Sequence, residues 1–460
     1  MNIRGVPHMQ IFIEILVAAA MGMTVAVLVA RRPRWFWPIL IIGSILGTGP
    51  RLFGYFFWDE LIMGAVILGA LVGGIPGDLF RSVNDRMVCF LIWIGYIFIE
   101  SFIGIVVNND IRIIRWSLYY LMLGILLLLI NKEKRFPFPS RRTFVSLVLI
   151  TTTFYYAGYI LHGIVFEYWL GVPKLGRFMD QFMKEGFLWS GSAIAVFPTL
   201  LAMPVAVFAI REDSVGIRVL AVISIMLMMV TAFYYDSRIS WVVIFFIFFV
   251  SIKKIGLTRV ALMISIFGIV YMSYIPQPLQ RLGEFFYGTF QSTQALWSPG
   301  ESDVTRKLQF EASIHRLLDN PGTFMVGDGI YSHRYTILPH IQELHKLYLP
   351  VQKFLIPGHK ETRDDTADDI KLFRTTAFSA LLIDTGIIGI MLYTLNFIFM
   401  GLKVLRSRTS GTSIFLAVIF LAYMWHFNNN ICDVVLLYLL IMPNGIIEQL
   451  INQEGKAAYS

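Results

Sequence analysis

An all-α, polytopic membrane helix bundle is the fold class this sequence predicts, and three observations carry it. Of the 460 residues, 57% are hydrophobic and only 15% are charged, where a soluble domain carries about a quarter charged residues. The chain divides into about twelve or thirteen apolar runs near the roughly 20 residues that a spanning helix needs. One long polar stretch, residues 277–375, interrupts them. The organisation is therefore transmembrane helices over 1–276, a large external loop containing short helices over 277–375, and C-terminal transmembrane helices over 376–460.

The first run, about Gln10–Ala30, is too long for a signal-peptide core. It leads into Arg31-Arg32-Pro33-Arg34 rather than a small-residue cleavage site, which predicts a retained helix. Between 36 and 74, Gly47, Pro50 and Gly54 can break the apolar pattern into half-helices. Further runs follow at about Met87–Val107, Ile113–Ile130, Phe144–Phe166, Ser192–Ile210, Ile217–Tyr235, Ile239–Ile252 and Val260–Tyr274. After the long loop come Ala377–Met400, Ser413–Phe427 and Val434–Ile447.

Basic residues set the orientation. With Arg31-Arg32-Pro33-Arg34 inside, alternation puts Lys132, Lys134, Arg135, Arg141, Arg142, Lys253, Lys254, Lys403, Arg406 and Arg408 on the same side. The long loop, the loop at 167–190 and the corner at Asp236-Ser237-Arg238 then lie outside. The net charge of +8 reads as orientation signal and as sites for anionic lipid-linked groups, not as a nucleic-acid surface. Cys89 and Cys432 fall at opposite faces, too far apart for a disulfide.

Within the long loop, Ser302 to Arg334 reads as a short amphipathic helix, a stop and a glycine turn. Ser302 or Asp303 can cap the helix, and Asn320-Pro321-Gly322 ends it. Arg306, Gln309, Ser313 and Arg316 recur at helical spacing and share one face, beside an apolar stripe of Phe310, Ile314 and Leu317. Forked, permanently charged guanidiniums on one face suit a phosphate or pyrophosphate. An ordinary solvated helix face is the competing reading. Two more external arginines stand out: Arg177, in GVPKLGRFMDQFMKEGFLWSGSAIA, and Arg238, at a helix mouth in YYDSRIS, where charge at the edge of hydrocarbon is costly. Interfacial snorkelling is the alternative for both.

Four segments, in order, resemble the O-antigen ligase and polymerase superfamily. GRFMDQFMKEGFLWSGSAIAVFPTLLAMPVAV is similar to the family's arginine before a small-residue helix entry. DSRIS resembles its Ser-Arg corner. SDVTRKLQFEASIHRLLDNPGTFMVGDGIYS resembles its arginine helix and Gly-x-Gly turn, with ten residues between Arg316 and Gly327. LLIDTGIIGIMLY resembles the helix after the long loop, with its Gly-x-x-Gly pair at Gly386 and Gly389. The ligases carry a histidine about eleven residues before the first of those glycines, where this chain has Thr375, in Arg374-Thr375-Thr376. That departure favours polymerase over ligase.

The resemblance implies a multi-pass protein of the bacterial inner membrane with its active site on the periplasmic side. It implies an undecaprenyl-pyrophosphate-linked glycan donor, a glycan or lipid-linked acceptor, and surrounding membrane lipid, with a chain-length regulator as a further partner. Arg177, Arg238, Arg306 and Arg316 would stabilise the leaving diphosphate. Gln309, Ser313, Gly327, Asp328, Gly329, Arg374 and Thr375 would bind substrate. No cofactor or metal is expected: Asp364-Asp365 and Asp368-Asp369 sit beside Arg363 and Lys371 and read as a solvated face. Five of the eight histidines lie in the long loop, and His333, just past the Gly327-Asp328-Gly329 turn, is the candidate general base. Glu14 and Glu100 fall within expected spans, where they line a polar cavity or mark helix ends. A ligase acting on lipid A-core or another acceptor is the enzyme alternative, and a lipid-linked glycan flippase the alternative without chemistry; a transporter should show matching interrupted halves, which are not evident.

Overall fold

The computed structural model describes residues 8–46, 51–52, 56–74, 83–109, 113–132, 135–164, 196–210, 214–234, 243–248, 250–251, 311–330, 332–336, 340, 377–409, 411–428 and 435–459. They are nearly all helical. In order the helices are α1 (His8–Arg31), α2 (Phe36–Leu46), α3 (Trp58–Val72), α4 (Asp85–Asn108), α5 (Ile114–Ile130), α6 (Arg141–Ile164), α7 (Val196–Ala209), α8 (Val215–Tyr234) and α9 (243–248). Then come α10 (311–319), α11 (Pro321–Val326), α12 (His333–Thr336), α13 (Ala377–Ser407), α14 (Thr412–Asn428), α15 (Val435–Ile441) and α16 (Ile446–Tyr459).

Four helical stretches among the described residues are long and apolar enough to cross a membrane: Asp85–Asn108, Val215–Ala232, Ala380–Ser407 and Val435–Glu454, the last of them joining α15 and α16. The first, at 24 residues, is about 36 Å long at about 1.5 Å per residue, against a hydrocarbon core of about 30 Å. Shorter apolar helices include Ile15–Arg31, Glu60–Val72, Ser117–Ile130, Pro198–Ala209 and Thr412–Tyr423. Apolar side chains lie outside as well as inside. Val72, Val106, Phe154 and Leu161 are exposed, which is the pattern of helices bathed in hydrocarbon rather than water.

The interruption expected between 36 and 74 is present. Helix α2 stops at Leu46 after 11 residues and α3 starts at Trp58. Between them the two-residue strands Arg51–Leu52 and Phe56–Phe57 pair antiparallel, Arg51 opposite Phe57. A break the sequence reading missed divides Val434–Ile447. Helix α15 ends at Ile441, and Asn444, with φ 59°, turns the chain into α16. Pro443 and Gly445 make that turn, and Glu448 stabilises it by accepting from the Asn444 N–H at 3.1 Å. Every residue of α15 is buried, and Tyr438 packs edge-on against Phe90 of α4 and Tyr120 of α5.

Contacts between distant residues sort the helix ends into two sets. At one end Glu448 takes a bidentate pair from Arg86 at 2.8 and 2.9 Å, with Lys403 3.8 Å away. At the same end Asn444 donates to Asn131, Gln453 donates to the Pro139 carbonyl, Trp37 donates to the Phe136 carbonyl, and Arg135 reaches the carbonyls of Gly73 and Gly74. At the other end Tyr96 and Asn108 of α4 meet Val326, Ser332 and Thr385. This sorting matches the alternation inferred from charge. The loop at 320–336 lies at the end opposite the belt of Arg86, Arg135, Arg141 and Lys403.

That division is testable. Met325 is half exposed and Arg406 lies at the opposite end of α13. In sealed vesicles, Met325→Cys and Arg406→Cys should react with an impermeant maleimide from opposite sides. Labelling of both from one side would contradict the assignment.

Candidate functional site

The polar cluster at the loop end begins with a broken helix. Gly386 has φ 61° and ψ −169° inside α13, a conformation open essentially to glycine alone. An unbroken helix would use the carbonyls of Ile383, Asp384 and Thr385 four residues onward. Here other groups take them. Asp328 N–H donates to Ile383 at 2.8 Å and Gly329 N–H to Asp384 at 3.1 Å. The Tyr96 hydroxyl lies 2.8 Å from the Thr385 carbonyl and 2.9 Å from that of Val326. Backbone groups freed inside an apolar bundle are thereby satisfied again.

The docking turn is built for close approach. Proline cannot continue a helix but is well placed to start one, and the Asn320-Pro321-Gly322 segment does both. Helix α10 ends at 319 and α11 opens with Pro321. Gly327 caps α11 with φ 88°. A Cβ there would sit 2.5 Å from the Asp384 carbonyl and Thr385 nitrogen. Gly329 and Gly104 meet backbone to backbone, and Ile330 N–H donates to the Glu100 carbonyl at 2.9 Å.

Two charged side chains are fixed by this turn. Arg316 of α10 donates through Nε and Nη2 to both carboxylate oxygens of Asp328, each at 3.1 Å. The Nε–Nη2 edge of the guanidinium is held by this carboxylate. Beyond the turn, His333 donates its backbone N–H to Asp384 Oδ1 at 2.8 Å, and its Nδ1 lies 2.8 Å from Asp384 Oδ2. The Ser332 hydroxyl donates to the Asp328 carbonyl at 2.7 Å and accepts from Asn108 Nδ2 at 2.7 Å. So one turn joins Arg316, Asp328, Ser332 and His333 to α4 and α13.

Ser313 and Arg316 do share a helix face, as their spacing predicts, but the face turns inward. Ser313 is buried with Ala312 and Leu317, while Ile314, expected in the apolar stripe, points outward. Gly327, Asp328, Gly329, Arg316 and His333 come together. Arg177, Arg238, Arg306, Gln309, Arg374 and Thr375 lie outside the described residues. Three residues that the sequence reading did not assign to the site complete it: Tyr96, Glu100 and Asp384. Glu100 is buried, one of its carboxylate oxygens lacks a partner among the described residues, and it faces Tyr96 and Asp384. An intramembrane carboxyl in the middle of α4 was the only signal for it. Among the described residues no group of His, Cys, Asp and Glu could hold a metal ion. His340 sits 3.5 Å from the exposed Asp319, His315 is exposed, and His345 and His359 lie outside the described residues.

No family model, curated protein or solved structure matches the chain.

Replacing Gly327 or Gly386 with alanine should each destabilise the protein by about 1–3 kcal/mol from backbone strain alone. Thermal unfolding in detergent should show both midpoints falling. Unchanged midpoints would mean that the turn does not dock on the broken helix.

Proposed function

We propose that the chain is an integral membrane glycosyltransferase that polymerises lipid-linked oligosaccharide repeat units. The observation that carries this reading is the pairing of a carboxylate-held guanidinium with a carboxylate-held imidazole in one turn at the end of an apolar bundle. The resemblance of its motifs to the O-antigen polymerases points the same way. On this reading the protein lies in a bacterial inner membrane with about twelve or thirteen crossings, its basic belt in the cytoplasm and its site periplasmic.

The donor is a glycan on undecaprenyl pyrophosphate, with its lipid in the bilayer. The acceptor is a hydroxyl of a second lipid-linked unit. That hydroxyl oxygen attacks the anomeric carbon and forms the new glycosidic bond. The bond from that carbon to the diphosphate oxygen breaks, and its electron pair leaves with the diphosphate. The acceptor proton passes to His333. Negative charge grows on the leaving diphosphate, and preorganised guanidinium groups stabilise it. Arg316, oriented by Asp328 through Nε and Nη2, is proposed to supply one of these groups, and Arg177, Arg238 and Arg306 are proposed to converge on the same diphosphate. Arginine stays charged at any working pH and forks onto phosphate oxygens.

The test is reconstitution of purified protein in liposomes with lipid-linked repeat units. A ladder of lipid-linked products is expected. Arg316→Ala should lower its rate by about 100-fold or more, and Arg316→Lys should restore only part, since the fork is lost. Transfer of a single unit to another acceptor would instead mark a ligase. Transbilayer movement without a new bond would mark a transporter. Wild-type rates in Arg316→Ala would contradict the diphosphate role.

A further inference from the structure

Asp384 carries an inference that rests on the glycosyl-transfer reading and deepens it. It lies in the second turn of α13, two residues before the Gly386 break, and is 1% exposed. Both of its carboxylate oxygens engage His333. Oδ1 accepts from the His333 backbone N–H and Oδ2 faces the His333 Nδ1, each at 2.8 Å. This arrangement fixes both the position of the residue and the rotation of its ring. His333 itself is 6% exposed, so the ring has little freedom to turn.

An ionised carboxylate can only accept hydrogen bonds. Against an ionised carboxylate Nδ1 holds a proton, and in the tautomer that this selects Nε2 is the basic nitrogen. The same logic governs histidines whose second nitrogen is held by a carboxylate in metal sites and hydrolases. The helix break is what allows it here. Because α13 is broken at Gly386, the Asp384 carbonyl is committed to Gly329 N–H while its side chain reaches His333. Backbone and side chain of one residue thus seat two ends of the same turn. Glu100 of α4 interacts with Asp384 and with Tyr96, so a second carboxyl lies near this pair.

We propose that Asp384 is the positioning residue that sets the His333 tautomer, so that Nε2 accepts the proton of the attacking acceptor hydroxyl. Asp384 touches no substrate in this role; it acts through His333.

Asp384→Asn preserves shape but allows an amide N–H to face Nδ1, which moves the ring proton to Nε2. The test combines liposome polymerisation kinetics with 15N NMR of histidine-labelled protein. The expected result is a fall in kcat of about 100-fold or more, a donor KM within about twofold, and exchange of the two His333 ring-nitrogen signals. A variant that merely weakened folding would not exchange those signals. Retained kcat, or lost kcat with the wild-type tautomer, would overturn the proposal. If Asp384→Asn does not fold, the wild-type spectrum decides: the proton on Nδ1 supports the proposal and the proton on Nε2 overturns it. If the wild-type protein forms no glycosidic bond, the glycosyl-transfer reading falls and the base role with it, while the spectrum still shows whether Asp384 sets the tautomer.

Discussion

Three carbonyls released by the break at Gly386 are the constraint on which the loop end of this molecule depends. In water such carbonyls would simply hydrate. In a bundle that is apolar inside and out, each would cost several kcal/mol if left alone. The Asp328 and Gly329 N–H groups bond two of them, and the third shares the Tyr96 hydroxyl with the Val326 carbonyl. The turn at 327–333 is therefore more than a surface loop laid on the bundle. It completes the hydrogen bonding of α13, and in doing so it brings Arg316 and His333 to fixed positions beside α4. Gly104 lets the turn approach α4 closely enough for Ile330 to bond the Glu100 carbonyl.

The opposite end uses the same economy with different chemistry. Glu448 is buried and gathers Arg86, Lys403 and the Asn444 N–H. Removing one partner of such a buried cluster leaves an uncompensated charge, commonly about 3–5 kcal/mol. This cluster ties α4, α13 and the α15–α16 turn together, so the helices that carry the loop-end site are also fixed at their far ends. Between the two polar ends the packing is almost wholly apolar, with Trp93 against Tyr393 and Tyr438 against Phe90.

Much of this was legible in the sequence, for identifiable reasons. Hydrophobic run length located α4, α8 and α13, because spanning helices must be continuous and apolar. Glycines near prolines located the interruption between α2 and α3 and the turn at 327–329. Alternating lysines and arginines sorted the two ends in the way the cross-helix contacts do. The rest was illegible because it depends on pairings far apart along the chain. His333 and Asp384 are 51 positions apart, and Tyr96 and Thr385 are 289 apart. Asp384 stands two residues before Gly386 in the LLIDTG segment, yet nothing local marks it as the partner of a loop histidine. Likewise the inward turn of Ser313 follows from what α10 docks against, not from its own periodicity. The α15–α16 break was missed because apolar composition continues across Pro443, hiding the turn from any run-length argument.

The most direct measurement of the central claim is hydrogen exchange at the amides of Asp328, Gly329 and Ile330, which bond the carbonyls of Ile383, Asp384 and Glu100. If the turn supplies what the broken helix lacks, these amides should exchange as slowly as those in the interior of α4 and α13. Exchange at the rate of an unstructured external loop would contradict the account.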